Sequence, residues 1–135
     1  MSHNVREIEV SSVVHALMAA EQAKDLAKNL GFSEVDLTKI AIATSELARN
    51  IVVHAEGKGR IILKPVTEPS RVGIIVVAED KGPGIEDIDK ALHGGKSAAG
   101  GLGEGLGAAK RVMDEFKIET KVGEGTTITA KKWKH

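Results

Sequence analysis

Cysteine and tyrosine are absent from this sequence, and aromatic residues make up only 2% of its 135 residues. Without cysteine there is no disulfide framework, thiol nucleophile or thiolate metal site. Lysine plus arginine and aspartate plus glutamate are equal at 19 each, so nothing indicates a surface for nucleic acid. No apolar run has the length of a signal peptide or a membrane span, which predicts a cytoplasmic protein that does not bind membranes.

Hydrophobic residues, in contrast, form 41% of the chain. A chain of this length can bury about two thirds of the surface that it exposes when unfolded. We find no internal repeat and no long block of like charge, so the sequence predicts one domain over residues 1–135. Because aromatic residues are so few, its core must be built mainly from aliphatic side chains.

Hydrophobic periodicity divides the chain into groups of strands and helices. A weak strand over residues 5–10 precedes a helix over residues 12–30 and a second helix from the cap Ser33 to about His54. Further strands are predicted over residues 60–66, 71–79, 116–122 and 126–133, with a short helix over 85–92 and a longer one from Leu106 to about Glu115. Hairpins of strands with helices grouped between them indicate an α+β fold, a two-layer α/β sandwich.

Two polar residues of the second predicted helix, Glu46 and Asn50, lie one turn apart and therefore project from the same face. Their neighbours on that face, Ile42, Ala43 and Val53, are apolar. Two polar groups in such surroundings indicate that something polar fills the space beside them. An exposed pair at the edge of a helix is the ordinary alternative.

Three glycine-containing motifs follow. In Asp80-Lys81-Gly82-Pro83-Gly84 the glycines allow a close backbone approach to a flat ligand, and the carboxylate can accept a hydrogen bond from the exocyclic amine of adenine. Residues 100–107 interleave glycine with leucine before a predicted helix, which is typical of a phosphate cradle. Gly125-Thr126 opens the last strand, where the threonine hydroxyl can complete an adenine pocket. Taken singly, each motif is also compatible with a turn, a linker or a plain strand.

The order E-x-x-x-N, D-x-G-x-G, G-x-G-x-G and G-T resembles the N box and the three glycine boxes of the GHKL ATPases. The phrases SELARNI, AEDKGPGI, GGLGEGL and KRVMDEF resemble the RsbT-type serine/threonine kinases, the switch kinases of bacterial stressosomes. This resemblance covers nearly the whole chain. It implies the GHKL (Bergerat) sandwich, in which helices cover one face of a mixed, mostly antiparallel sheet, and it implies protein serine/threonine kinase activity.

The resemblance also implies roles for individual residues. Glu46 would be the general base or orient the acceptor hydroxyl, Asn50 would be a Mg²⁺ ligand, and Asp80 would anchor the adenine of ATP. The other ATP-binding residues implied are Gly82 and Gly84 beside the base and ribose, Gly101, Gly103, Gly105 and Gly107 beside the phosphates, and Thr126 on the far side of the adenine. Residues 94–104 would form a lid over ATP. No role is assigned to Arg49, Lys110 or Arg111.

The implied partners are STAS-domain proteins as substrates and a PP2C-type phosphatase that the released kinase activates, in a general stress pathway of the sigma-B type. An anti-sigma factor with kinase activity is the alternative within the same fold. Such factors usually carry T-N-A-x-x-H-A, whereas this chain has Ala48-Arg49-Asn50-Ile51. A nucleotide-dependent interaction module without transfer chemistry is the alternative of another class. A detached histidine-kinase domain would need a dimerising helix hairpin, for which the first ten residues leave no room.

Overall fold

Five strands and three helices have both of their ends within the described part of the chain. The computed structural model describes residues 4–88, 92 and 105–134. The elements are β1 (Arg6–Val10), α1 (Val13–Asn29), α2 (Glu34–His54), β2 (Gly59–Glu68), β3 (Arg71–Asp80), α3 (Gly105–Val112), β4 (Glu115–Lys121) and β5 (Gly125–Trp133). Their order confirms the predicted α+β fold.

The strands form one sheet in the order β1-β2-β3-β5-β4. Every pairing among the described strands is antiparallel, so the predicted mixed sheet has no parallel pair in this part of the chain. Alternate residues of each strand point to the helices. Ile61, Val76 and Ile128 are completely or almost completely buried on that side, together with one face of each helix. The helices thus cover one face of the sheet, as predicted.

Side-chain caps fix where the two long helices begin. Ser12 accepts a hydrogen bond from the backbone N–H of His15, and Ser33 accepts one from Asp36. These hydroxyls satisfy backbone donors that have no partner within the helix. At the end of α1 the chain turns at Gly31, whose φ of +89° favours glycine. The predicted bounds of both helices are therefore correct to within a residue or two.

The third helix ends earlier than the sequence predicts, at Val112 and not near Glu115. The backbone N–H of Asp114 donates to the carbonyl oxygen of Lys131 at 2.9 Å, and its Oδ2 accepts from the N–H of Trp133 at 2.7 Å. Strand β5 therefore takes the hydrogen bonds that would have continued the helix, and Glu115 opens β4 instead. Helical periodicity alone gives no sign of this competition.

The predicted short helix over residues 85–92 is only partly within the described residues. Residues 85–87 are not helical, residues 88 and 92 are, and residues 89–91 lie outside the description. The backbone N–H of Ile85 donates to the Thr120 hydroxyl at 2.8 Å, so this residue is bound to the sheet. The helix prediction is wrong at its first three positions.

A buried lysine joins the sheet to the helix layer. Lys132 is only 4% exposed, and its Nζ lies 3.9 Å from Asp36 Oδ1 and 3.7 Å from Asp114 Oδ1. Asp36 belongs to the first turn of α2, and Asp114 follows α3. One cation thus links two helix termini to β5. A buried charge of this kind is stable only when it is paired.

Replacement of this lysine by methionine is expected to lower the free energy of unfolding by about 1–3 kcal/mol. Lys132→Met keeps the aliphatic stem but removes one cation from beside Asp36 and Asp114, and both carboxylates are partly exposed, which reduces the penalty. Urea unfolding measures the difference. Lys117→Met is the matched control, because Lys117 is 71% exposed in its pair with Glu119 and should change stability by less than about 0.5 kcal/mol. Equal effects would contradict a special role for Lys132.

Candidate functional site

Asp80 and Thr126 face each other on neighbouring strands at one end of the sheet. Asp80 pairs with Thr126 on β5 and with Gly59 on β2, and all three lie on the helix-facing side. A Cβ added at Gly59 would lie 2.8 Å from Ile51 Cγ2 and 3.1 Å from Asp80 Cβ. The carboxylate is therefore held close to the last turns of α2. The structure brings together two residues that the sequence assigned to the same pocket.

The loop after β3 folds back tightly on its surroundings. Asp80 Oδ1 accepts a hydrogen bond from the N–H of Gly82 at 2.9 Å, which leaves Oδ2 without a hydrogen bond to any described residue. A Cβ at Gly82 would lie 2.8 Å from Ala55 Cα, and one at Gly84, where φ is +83°, would lie 2.7 Å from the Lys121 carbonyl oxygen. Close packing thus explains both glycines. Their predicted contact with base and ribose stays a prediction.

Glu46 and Asn50 lie on a partly exposed edge of α2. The Glu46 side chain is 18% exposed, Asn50 is half-buried, and Ile42 and Val53 on the same edge are exposed. Neither polar side chain makes a hydrogen bond with a described residue. Arg49 Nη1 lies 3.6 Å from Glu46 Oε1, a charge contact that is too long for a hydrogen bond. The carboxylate and the amide are both available to a ligand.

The predicted phosphate-binding glycines are only partly described. Gly105 and Gly107 form the first turn of α3, which packs against α2. A Cβ at Gly105 would meet nothing within 4 Å, whereas one at Gly107 would collide with the Leu92 carbonyl oxygen. Gly107 is thus required by packing, and Gly105 borders open space. Gly101, Gly103 and the predicted lid over 94–104 lie outside the described residues.

Thr120 is a residue of this region that no sequence motif identified. The sequence predicts only that it lies in a strand. Its Oγ1 accepts a hydrogen bond from the N–H of Ile85 at 2.8 Å, and it lies 2.8 Å from Thr126 Oγ1 and 3.3 Å from the Gly125 carbonyl oxygen. Thr120 and Thr126 are register partners in the β4–β5 hairpin. The hairpin register could have identified the pair, since the turn between the strands was predicted.

A surface cavity of about 670 Å³ opens at the same end of the sheet. Its lining includes the row Glu9, Arg60, Glu79 and Thr127, which belongs to the face without helices. The pKa of the Arg60 guanidinium is raised, mainly by its hydrogen bond to Glu79 and next by its hydrogen bond to Glu7. Asp80 and its register partner Gly59 also line this cavity, whereas Glu46 and Asn50 do not, so the cavity reaches the candidate site at Asp80.

Residues 4–88, 92 and 105–134 contain no group of three or more histidine, aspartate or glutamate side chains placed to hold a metal ion. In the same ranges, no helix combines the length and the apolar character needed to span a bilayer.

Comparisons with known proteins agree with this geometry. The family described as "Histidine kinase-like ATPase domain" matches residues 10–132. The chain is 49% identical over 118 residues to "Serine/threonine-protein kinase RsbT" of Bacillus subtilis (strain 168), which covers 87% of this chain and 88% of the relative. It is 35% identical over 104 residues to an "Anti-sigma F factor" of Clostridium acetobutylicum, covering 73% of this chain and 70% of that protein.

These matches confirm the resemblance that the motifs indicated. An "Anti-sigma F factor" of Thermoanaerobacter pseudethanolicus is 32% identical over 103 residues, covering 73% of this chain and 71% of the relative. The matched region contains both the Asp80–Thr126 pair and the polar edge of α2. The chain therefore belongs to the histidine kinase-like ATPase domain family.

Proposed function

We propose that this chain, as one domain over residues 1–135, is a protein kinase that transfers the γ-phosphate of ATP to a serine or threonine hydroxyl. The observation that carries the proposal is a set of polar groups that make no hydrogen bond with a described residue. They are Asp80 Oδ2 opposite Thr126, and Glu46 and Asn50 on α2. These groups are of the types that can bind ATP and an acceptor hydroxyl. The relative named as a serine/threonine kinase also supports the proposal.

The donor and acceptor pattern at Asp80 fits adenine. Gly82 holds Oδ1, so Oδ2 is the oxygen that can accept a hydrogen bond from a ligand. Adenine offers an exocyclic amine there, whereas guanine offers a carbonyl oxygen that a carboxylate repels. The hydroxyl of Thr126 lies across the strand pair and can bind the same edge of the base. This pattern predicts a preference for ATP over GTP.

The two side chains on α2 fit phosphoryl transfer. The Asn50 side-chain oxygen is of the type that Mg²⁺ binds, and one such ligand suffices for an ion that keeps several waters and binds phosphates. Bound Mg-ATP supplies the phosphoryl group and ADP as the leaving group. Glu46, one turn away, would orient the acceptor hydroxyl and take its proton as the hydroxyl oxygen bonds to phosphorus and the bond to ADP breaks.

The partners of this kinase are proposed from its resemblance to the RsbT type. They are STAS-domain proteins as phosphate acceptors and a PP2C-type phosphatase as the target of the released kinase, in the cytoplasm and in a stress pathway. The anti-sigma F factors among the relatives favour a second candidate, an anti-sigma factor with kinase activity. Incubation with radiolabelled ATP, Mg²⁺ and candidate STAS proteins, and co-purification with sigma factor, distinguish the two.

The adenine assignment is tested by Asp80→Asn, which is expected to weaken ATP binding by about 10- to 100-fold. Because the N–H of Gly82 fixes an oxygen at the Oδ1 position, the new amide nitrogen would occupy the Oδ2 position, where it meets the exocyclic amine donor to donor. The same nitrogen suits the guanine carbonyl, so the ratio of ATP to GTP affinity should fall. Titration calorimetry with both nucleotides measures it.

Glu86→Gln is the matched control, since it removes one carboxylate charge from an exposed residue of the same loop. It should leave both affinities within about twofold, because an exposed charge is screened by solvent. Equal ATP and GTP affinity in the unmodified protein would overturn the adenine assignment. Unchanged affinity in Asp80→Asn would reduce Asp80 to a turn residue.

A further inference from the structure

We propose that Thr120 is a positioning residue of the adenine pocket. It holds Thr126 and the loop after Asp80 in the arrangement that receives the base. The inference deepens the proposed function and rests on it. Thr120 lies on the edge strand β4, and only Thr126 lies between it and Asp80 across the sheet.

The Thr120 hydroxyl joins three segments of the chain. It accepts the N–H of Ile85 from the loop after β3, it lies 2.8 Å from Thr126 Oγ1 on β5, and it donates to the Gly125 carbonyl oxygen at 3.3 Å. Thr120 is half-buried, and Thr126 is only 4% exposed. Hydrogen bonds that are partly shielded from solvent fix side-chain orientation more firmly than hydrogen bonds at an exposed surface.

The number of hydroxyl protons gives the contact between Thr120 and Thr126 a further property. A hydroxyl has one proton to donate, and two hydroxyls 2.8 Å apart share one hydrogen bond. When Thr126 donates to Thr120, Thr120 donates to the Gly125 carbonyl, and Thr126 has only lone pairs to offer. When Thr120 donates to Thr126, the proton of Thr126 is free for a ligand. Thr126 can therefore change from acceptor to donor by rotation of two hydroxyl protons, without movement of heavy atoms.

Adenine requires the second arrangement. The ring nitrogen next to its exocyclic amine is an acceptor, so a base whose amine binds Asp80 needs a donor beside that carboxylate. Thr126, the register partner of Asp80, is placed to be that donor when Thr120 donates to it. Thr120 does not touch the base in this scheme and acts through Thr126.

Loss of the hydroxyl is expected to leave the fold intact. The loop after Asp80 has a second attachment to the β4–β5 turn, because the N–H of Gly123 donates to the Pro83 carbonyl oxygen at 2.8 Å. Gly84 also packs closely on Lys121 and Val122. A Thr120 variant can therefore keep the loop in place and still lose the orientation of Thr126.

The test compares Thr120→Val, Thr120→Ser and Thr126→Val with the double variant by ATP titration calorimetry. Thr120→Val should weaken ATP binding by about 5- to 10-fold, the value of the hydrogen bond that holds the Thr126 hydroxyl in orientation, and Thr120→Ser, which restores that bond, should stay within about twofold. If Thr120 acts through Thr126, adding Thr120→Val to Thr126→Val should cost no more than about twofold.

Thr120→Val could lower ATP affinity by the same factor with and without the Thr126 hydroxyl, and that result would overturn the inference. Unchanged ATP affinity in Thr120→Val would also overturn it. Failure of Thr120→Ser to restore binding would also count against it. The proposed function fails differently, by absence of ATP binding or of ATP preference in the unmodified protein. Thermal unfolding of each nucleotide-free variant, expected within about 2–4 °C of the parent, separates a loss of folded protein from a loss of affinity.

Discussion

Glu46→Gln is expected to slow phosphoryl transfer by about 10²- to 10⁴-fold while ATP affinity stays within a few-fold. Glutamine keeps the size and the hydrogen-bonding capacity of the side chain, but it cannot take the proton of the acceptor hydroxyl. Stability should change little, because the only ion pair or hydrogen bond of Glu46 with a described side chain is the 3.6 Å charge contact with Arg49. Removing a negative charge near the triphosphate can even tighten ATP binding.

Single-turnover transfer to a serine-bearing STAS partner measures this effect, with each protein saturated with Mg-ATP as checked by calorimetry. Glu34→Gln is the matched control, because Glu34 is an exposed glutamate in the first turn of the same helix. Its transfer rate should equal that of the unmodified protein. Equal rates for Glu46→Gln would remove Glu46 from the chemistry, and loss of both binding and transfer would reassign it to the Mg²⁺ site or the fold.

Asn50→Ala is expected to weaken Mg²⁺-dependent ATP binding by about 10- to 100-fold, the value of a bond to a charged group. Asn50 makes no hydrogen bond with a described residue, so its removal leaves no group of the described residues unsatisfied, and alanine favours the helix. Calorimetry measures ATP affinity with Mg²⁺ and with excess EDTA. The difference in affinity between these two conditions should be much smaller for the variant than for the unmodified protein.

Asn29→Ala, at the exposed end of α1, is the control for a change of asparagine to alanine in a helix and should bind ATP normally. A marked loss of thermal stability in nucleotide-free Asn50→Ala would contradict the ligand role and make Asn50 a structural residue. Weaker binding that is the same with and without Mg²⁺ would place Asn50 at the nucleotide but not at the metal.

Much of the fold could be predicted because its signals are local. Ser33 and the glycines after His54 bound α2, since caps and stops act within one turn of the helix. Runs rich in isoleucine and valine marked β2 and β3, because the central residues of both strands are buried. The order of the four motifs identified the family although each motif is weak, because four independent weak signals in one order rarely coincide.

The remaining features depend on partners distant in sequence. The end of α3 is set by hydrogen bonds from Asp114 to β5, and the burial of Lys132 depends on two carboxylates from different elements. Thr120 gains its importance from the register of a hairpin and from the docked loop after β3. Propensity and periodicity describe neighbours along the chain and cannot supply such contacts.

The pairing of β3 with β5 has a consequence for the order of folding. The β2–β3 and β4–β5 hairpins each close a short loop, whereas Asp80 and Thr126 meet only after the long segment between them has been brought together. Closing that segment costs chain entropy before any contact between these strands offsets it, so this pairing forms late. A ligand that requires both residues binds only completed molecules. ATP at concentrations above its Kd would therefore draw late folding intermediates toward the native state by mass action.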